Sequence, residues 1–378
     1  MSLPLEGITV IALEQAVAAP YCSSRLADAG ARVIKLERSE GDFARGYDDV
    51  AKGESSYFVW LNRGKESVAV DLTKPDDRAL FEALIAKADV FIQNLKPGAL
   101  AKLGFPIEEL CRKYPALIAC SISGYGEEGT MAQRKAYDLL IQAESGLASI
   151  TGGPSEAARV GISIVDIGTG SVACQAILEA LIQRGRTGKG ADIRLSMFDA
   201  IVDWMAVPFL HAAAGRAPKR LGLAHPSVAP YGVFETADGK SVLISIQNER
   251  EWAILCDRVL EDTTFARDEK FSSNVARCRN RAEMDGRVQA GFSRFTKEEM
   301  DRRLAASDIA FASVNELRDL LSHPHLRTVP VETVGGIVDI PAPSARMMSE
   351  ERRYGAVPKL GAQTASVRAE FLGKEAAE

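Results

Sequence analysis

The chain has 378 residues and a mass of 40.8 kDa, of which 46% are hydrophobic and 26% charged. These are the proportions of an ordinary globular protein, which excludes disordered, collagen-like and fibrous classes, and the length suits two domains or one large domain carrying a smaller one. A net charge of -5, with no dense run of Lys or Arg, argues against nucleic acid as a partner while leaving isolated cations free to hold a small anion.

The six cysteines are scattered, with no C-x-x-C pair and no zinc-type spacing to His, so they read as free thiols. No secretory n-region or h-region opens the chain, and no uninterrupted apolar run approaches the ~20 residues that span a bilayer. The expectation is a soluble, cytoplasmic protein with no membrane partner.

In chain order, Ile8–Leu13 reads as a strand, Pro20 opens a helix that Gly30 closes, and Arg32–Leu36 reads as a second strand. This β-α-β start predicts a parallel, doubly wound sheet. The connecting turn Glu14-Gln15-Ala16-Val17-Ala18-Ala19-Pro20 lacks both G-x-G-x-x-G and G-x-x-x-x-G-K-[ST], which disfavours a conventionally held dinucleotide or triphosphate. Further units follow: a strand over 67–72, a helix over 76–87, and strands over 90–94 and 117–122.

The segment 161–170 reads as an apolar strand ending at Asp166 and followed by Gly168 and Gly170, then a mostly buried helix over 171–184 closed by Gly185. The basic glycine-rich stretch 184–190 reads as a helix-to-strand connection leading to a strand over 191–197. Composition then shifts. Tyr231–Thr236 and Ser241–Ile246 form a hairpin around Asp238-Gly239, a charge-rich helical region follows over 249–307, a strand is expected over 329–338, and a last helix over 364–372. The organisation is a large-domain segment 1–214, a linker and small α+β domain over 215–320, and a segment 321–378 that rejoins the first.

Four places carry candidate chemistry. Asp166, beside glycines, offers a carboxylate able to attack an acyl group, although a helix N-cap is the commoner role for such an Asp. Lys135-Ala-Tyr137-Asp138 enters an apolar run, where Asp138 reads as an acid-base group, as a support for Tyr137 or as a cap. In Lys35-Leu-Glu-Arg38, Arg38 suits a phosphate, against a solvated strand end. In Gln93-Asn94-Leu-Lys-Pro-Gly98, Asn94 suits a polar ligand group, against a structural turn. No G-x-S-x-G or H-E-x-x-H is present.

Taken together, Leu5-Glu-Gly-Ile-Thr-Val10, Leu26 through Arg38, Gly41-Asp42 with Arg45, Leu61-Asn-Arg-Gly-Lys65, Asn94 with Lys96-Pro-Gly98, Ser123-Gly-Tyr-Gly126, Val165-Asp166 with Gly170, Arg184 with Thr187-Gly-Lys-Gly190, and Pro358-Lys-Leu-Gly361 resemble the class III (CaiB/BaiF-type) CoA-transferase family from about residue 4 to about residue 372. The resemblance implies an α/β fold: a Rossmann-like large domain with an inserted small α+β domain, assembled as an interlocked homodimer. It implies CoA transfer from an acyl-CoA donor to a small carboxylic acid, with Asp166 as the covalent nucleophile that passes through a mixed anhydride and an aspartyl-CoA thioester. Matching positions give Val17, Ala18, Arg38, Leu72, Thr73, Asn94 and Lys135 as CoA contacts, with Tyr137 and Asp138 standing behind the nucleophile. No metal and no tightly bound cofactor is implied; CoA enters as substrate.

The rival inside the superfamily is an α-methylacyl-CoA racemase, whose His-Asp pair would fall at Tyr137-Asp138 and whose Glu would fall at Asn248. Neither the His nor the Glu is present. A non-catalytic CoA-binding protein is the third reading. Oxalate-using relatives carry a glycine run in the small domain that has no counterpart between Pro230 and Glu249, so the resemblance favours succinyl-CoA as donor and a C4–C6 dicarboxylate such as itaconate, citramalate, malate or mesaconate as acceptor.

Overall fold

The computed structural model describes residues 3–347 and 352–373. The remaining positions, 1–2, 348–351 and 374–378, fall in the two segments assigned above to the large domain and lie outside the described residues. Backbone proximity divides the chain into two compact units: Met1–Leu147, Val160–Val207 and Arg327–Glu378 form one, Ala148–Arg159 and Pro208–Leu326 the other. Residues 148–159, expected in the N-terminal segment, thus belong to the second unit.

The N-terminal part runs β1 (Thr9–Leu13), α1 (Ala18–Asp28), β2 (Arg32–Glu37), α2 (Ser56–Asn62), β3 (Lys65–Ala69), α3 (Pro75–Lys87), β4 (Val90–Gln93), α4 (Ala99–Lys102), α5 (Ile107–Lys113), β5 (Ile118–Ser123), α6 (Asp138–Glu144), α7 (Leu147–Ile150), α8 (Ile164–Thr187), β6 (Ala191–Ser196), α9 (Met197–Trp204) and α10 (Ala206–Ala213). The six strands make one sheet in the order β3-β2-β1-β4-β5-β6, every neighbour parallel. Winding reverses between β1 and β4, and in such sheets the ligand crevice opens at the carboxyl ends of the strands at that reversal.

Strand alternation explains why both faces are covered. Val10, Ala12, Val90, Ile92, Ile118 and Cys120 point into a core shared with α1, α8 and α9, whereas Ile11, Phe91 and Ala119 point into a second core with α3 and α5. A period of two sends successive side chains to opposite faces, so a strand buried on both reads as a continuous apolar run.

The structure moves one boundary that matters. Residues 164–170 are not strand and turn but the opening of α8, whose 24 residues absorb the helix expected over 171–184. Its internal glycines answer to packing: a Cβ on Gly170 would lie 2.4 Å from the Ala18 carbonyl oxygen, and one on Gly168 would lie 3.0 Å from the Trp204 ring. Gly185 does not end the helix; Gly188 does, in the left-handed conformation (φ 70°). Among the described helices α8 alone is long and apolar enough to cross a membrane, yet Val165, Ala173 and Ile177 on it are buried in the core beside the sheet.

In the second unit, β7 (Tyr231–Glu235) and β8 (Ser241–Ser245) form the expected hairpin to within a residue, followed by α11 (Glu249–Ile254), α12 (Asn274–Arg279), α13 (Arg281–Phe292), α14 (Lys297–Ala306), β9 (Ala310–Ser313) paired to β8, and α15 (Leu317–Leu320). Its own core gathers Trp252, Phe265, Phe271 and Phe292 around Val242 and Ile244.

The chain then returns to the first unit. The strand expected over 329–338 is a hairpin, β10 (Thr328–Thr333) against β11 (Gly336–Pro341), and α16 (Thr364–Leu372) follows. The stretch before α16 runs along β3: Gly64 donates to the Ala356 carbonyl, Ser67 exchanges bonds with Gln363, and Ala69 donates to Thr364 Oγ1 at 2.9 Å.

Candidate active site

Asp166 occupies the third position of α8, so its carboxyl group projects from the first turn of a helix rather than from a strand end. The residue before the helix, Ser163, makes no side-chain cap. That task falls to a different element. Asp138, the first residue of α6 and buried, accepts from the Val165 N–H at 2.7 Å and from the Asp166 N–H at 3.3 Å through Oδ1. Its Oδ2 accepts from Gln142 Nε2 at 2.6 Å, and Gln142 Oε1 in turn accepts from the Val160 N–H. Asp138 is therefore not the local cap of its own helix; it satisfies the orphan donors that open α8.

Burial pushes the Asp166 carboxyl up to about 7, and the like charge of Asp138 adds to the rise. Near neutral pH the group is divided between acid and carboxylate, and the carboxylate is the form that attacks an acyl carbon. Tyr47, which sequence reading did not select, is drawn into the same field: burial, then Asp42, Asp166 and Tyr137, raise its phenol to about 12. It keeps its proton at neutral pH as a hydrogen-bond donor, and its ring packs edge-on against Tyr57 at 5.4 Å.

The expected CoA contacts gather along the carboxyl ends of the sheet. Val17 and Ala18 are buried at the start of α1, so a ligand there meets backbone rather than side chain. Arg38 follows β2 and is exposed, not engaged by the strand end; Leu72 is buried and Thr73 exposed after β3, the Thr73 hydroxyl donating to Asp71 at 2.7 Å. Lys135 and Tyr137 are exposed before α6. Asn94, after β4, spends its amide on the chain itself: Oδ1 accepts from the Gln15 N–H at 3.0 Å and Nδ2 donates to the Gln15 carbonyl at 2.8 Å.

A buried ionic cluster lies under the same loop. Lys35 and Glu37, which read as a solvated strand end, are buried. Lys35 Nζ donates to Asp42 Oδ2 at 2.9 Å and to the Glu14 carbonyl at 3.3 Å, while Lys65 Nζ donates to Glu14 Oε1 at 2.7 Å and to the Pro20 carbonyl at 3.2 Å. Burial works against the Lys65 charge and, despite Glu14, leaves that ammonium lowered to about 8. Burial likewise opposes Glu14, but Lys65 and Lys35 outweigh it and hold the carboxyl below its ordinary range. The signal for this cluster was present only as Lys35 between apolar neighbours in β2 and Lys65 at the head of β3, a pattern that surface strands also show.

Residues 5–364 match the model of CoA-transferase family III. The chain is 34% identical to the succinate–glutarate CoA-transferase of Agrobacterium fabrum, covering 97% of this chain and 96% of that protein. It is 35% identical to the acetyl-CoA:oxalate CoA-transferase of Acetobacter aceti, over 99% and 97% of the two chains. Among solved structures, a CaiB/BaiF family protein from Brucella suis superposes with a TM-score of 0.82 at 34% identity, covering 98% of this chain and 100% of that one. A family match over residues 5–364, with relatives 34–35% identical over nearly their whole length, places the chain in CoA-transferase family III, as an enzyme of that class.

Proposed function

We propose that the protein moves CoA from succinyl-CoA to a C4–C6 dicarboxylate, with Asp166 as the covalent nucleophile. The observation that carries the reading is the Asp166 carboxyl group, raised to about 7 at the opening of α8 and held there by Asp138. Its carboxylate adds to the donor thioester carbon; the C–S bond breaks, leaving a mixed anhydride and CoA thiolate. The thiolate then attacks the aspartyl carbon, expelling the donor carboxylate and forming an aspartyl-CoA thioester. The acceptor carboxylate repeats the exchange and leaves as its CoA thioester, restoring Asp166. The positive end of the α8 helix dipole favours the negative charge of each tetrahedral intermediate.

Val17, Ala18, Arg38, Leu72, Thr73, Asn94 and Lys135 line the proposed CoA path, Arg38 and Lys135 meeting its phosphates. The glutarate-using relative supports a succinyl donor and a dicarboxylate acceptor, while the oxalate-using one puts acetyl-CoA and oxalate in the test panel. We assign an interlocked homodimer: in the first unit α8 and α9 expose Leu178, Ile182 and Trp204, apolar surface that a second copy would cover. The test is transfer from succinyl-CoA and acetyl-CoA to itaconate, citramalate, malate, mesaconate, glutarate and oxalate. Turnover with none of these acceptors rejects the assignment.

A further inference from the structure

The loop between β1 and α1 is held over residues 14–16, and the first turn of α1 at Pro20, by groups that are not its neighbours in sequence. Lys35 holds the Glu14 carbonyl, Asn94 holds both polar groups of Gln15, Asp42 Oδ1 accepts from the Ala16 N–H at 3.0 Å, and Lys65 holds the Pro20 carbonyl. Ala16 itself sits at φ 63°, a left-handed conformation that a residue with a Cβ rarely adopts. Such a conformation persists only where the surroundings over-determine it, and these clusters occur where a loop is shaped for a ligand. Asp42 is the centre of the arrangement: one oxygen takes the Ala16 and Ala44 N–H groups, the other takes the buried Lys35 ammonium, and all of these groups are fixed inside the unit.

We infer that Asp42 is a positioning residue for acyl-CoA, its carboxylate fixing Ala16 in the left-handed conformation so that Val17 and Ala18 present their backbone to the cofactor moiety. The inference rests on the proposal that CoA lies along this loop. Asp42 does not touch the ligand; it acts through Ala16. A buried ion pair is often no more stabilising than an apolar one, whereas its directional bonds specify one loop geometry.

The Asp42→Asn variant keeps volume and removes one acceptor. Its amide must turn an N–H either toward the Lys35 ammonium or toward the Ala16 and Ala44 N–H groups, and the loop loses its hold. Removing the ammonium as well, in Asp42→Asn/Lys35→Met, lets the amide oxygen face the two backbone donors and restores the hold on Ala16, the segment the inference concerns, while the Glu14 carbonyl loses its Lys35 donor. The full chain is titrated with coenzyme A by calorimetry, and KM and kcat are measured with succinyl-CoA. Expected for Asp42→Asn are CoA binding weaker by about tenfold and a matching rise in donor KM, with kcat within about threefold, and recovery in the double variant to within about threefold of wild type. Unchanged CoA binding by a folded Asp42→Asn protein overturns the inference, as does a folded double variant that binds as weakly as the single one. If the single variant does not fold, the double variant decides by the same criterion. Wild-type protein that does not bind CoA overturns the CoA path itself, an outcome separate from the others.

Discussion

The carboxylate of Asp138 lies 3.3 Å from the backbone nitrogen of Asp166 and accepts its hydrogen bond, so one residue both anchors the helix turn that carries Asp166 and burdens the Asp166 carboxyl with a like charge. Anchoring and tuning separate on substitution. In Asp138→Asn the charge goes but an oxygen remains for the Val165 and Asp166 donors. The acidic limb of the pH–rate profile is expected to move to lower pH, because Asp166 ionises more readily. The new amide also faces Gln142 Nε2, a donor, so stability falls by about 1 kcal/mol. A limb that stays near pH 7 in the variant rejects the Asp138 contribution; urea unfolding checks the stability.

Asp166→Ala is expected to lower CoA transfer by at least about a thousandfold while leaving CoA binding in place. Wild-type protein mixed with succinyl-CoA and then hydroxylamine should carry a hydroxamate on Asp166, read by peptide mass. A label on another carboxylate, or transfer at the normal rate in the variant, removes Asp166 from the chemistry.

The raised Asp166 pKa also makes a stability prediction. Between the ordinary carboxyl value of 3.8 and about 7, the folded chain keeps a proton that the unfolded chain has lost, so this group's contribution falls as pH rises through that window. Asp166→Asn removes this titrating group. Its melting temperature relative to wild type is expected to be higher at pH 8 than at pH 4, and an offset independent of pH contradicts the shift.

Two of the three glycines of α8, Gly170 and Gly185, are expected to respond oppositely. Gly170→Ala forces a Cβ toward the Ala18 carbonyl oxygen at 2.4 Å, with backbone that cannot give, and is expected to cost about 2 kcal/mol or more. Gly185→Ala meets nothing within 4 Å in the last turn of α8 and is expected to stabilise by about 0.5 kcal/mol. Thermal unfolding of the pair distinguishes them.

Much of the sheet was legible because parallel strands buried on both faces read as apolar runs: Ile8–Leu13 and Val90–Asn94 were placed within a residue of β1 and β4. The start of α8 was not. Gly168 and Gly170 look like a turn to any local rule, and only the packing of Trp204 from α9 against Gly168 and of α1 against Gly170 explains glycine there. The Asp138–Asp166 contact spans 28 positions, and the ionic cluster joins residues from Glu14 to Lys65; neither leaves a spacing signature. What residue type could suggest was Asp166 as a candidate carboxylate, set against a helix cap, and the matching of many short segments supplied the family.

The bonds from residues 356–364 to β3 set an order of events during synthesis. β3 lies at the end of the sheet, next to β2 alone, and the segment that covers its free side comes almost at the end of the chain. A growing polypeptide therefore carries an unprotected row of strand amides and carbonyls until residues 356–364 have been made, an interval that includes the making of the second unit. Open strand borders of that kind recruit other chains. Truncation ahead of Gly361 leaves that border open for good, so the carboxyl-terminal stretch serves as a late-arriving seal against self-association as much as a part of the folded unit.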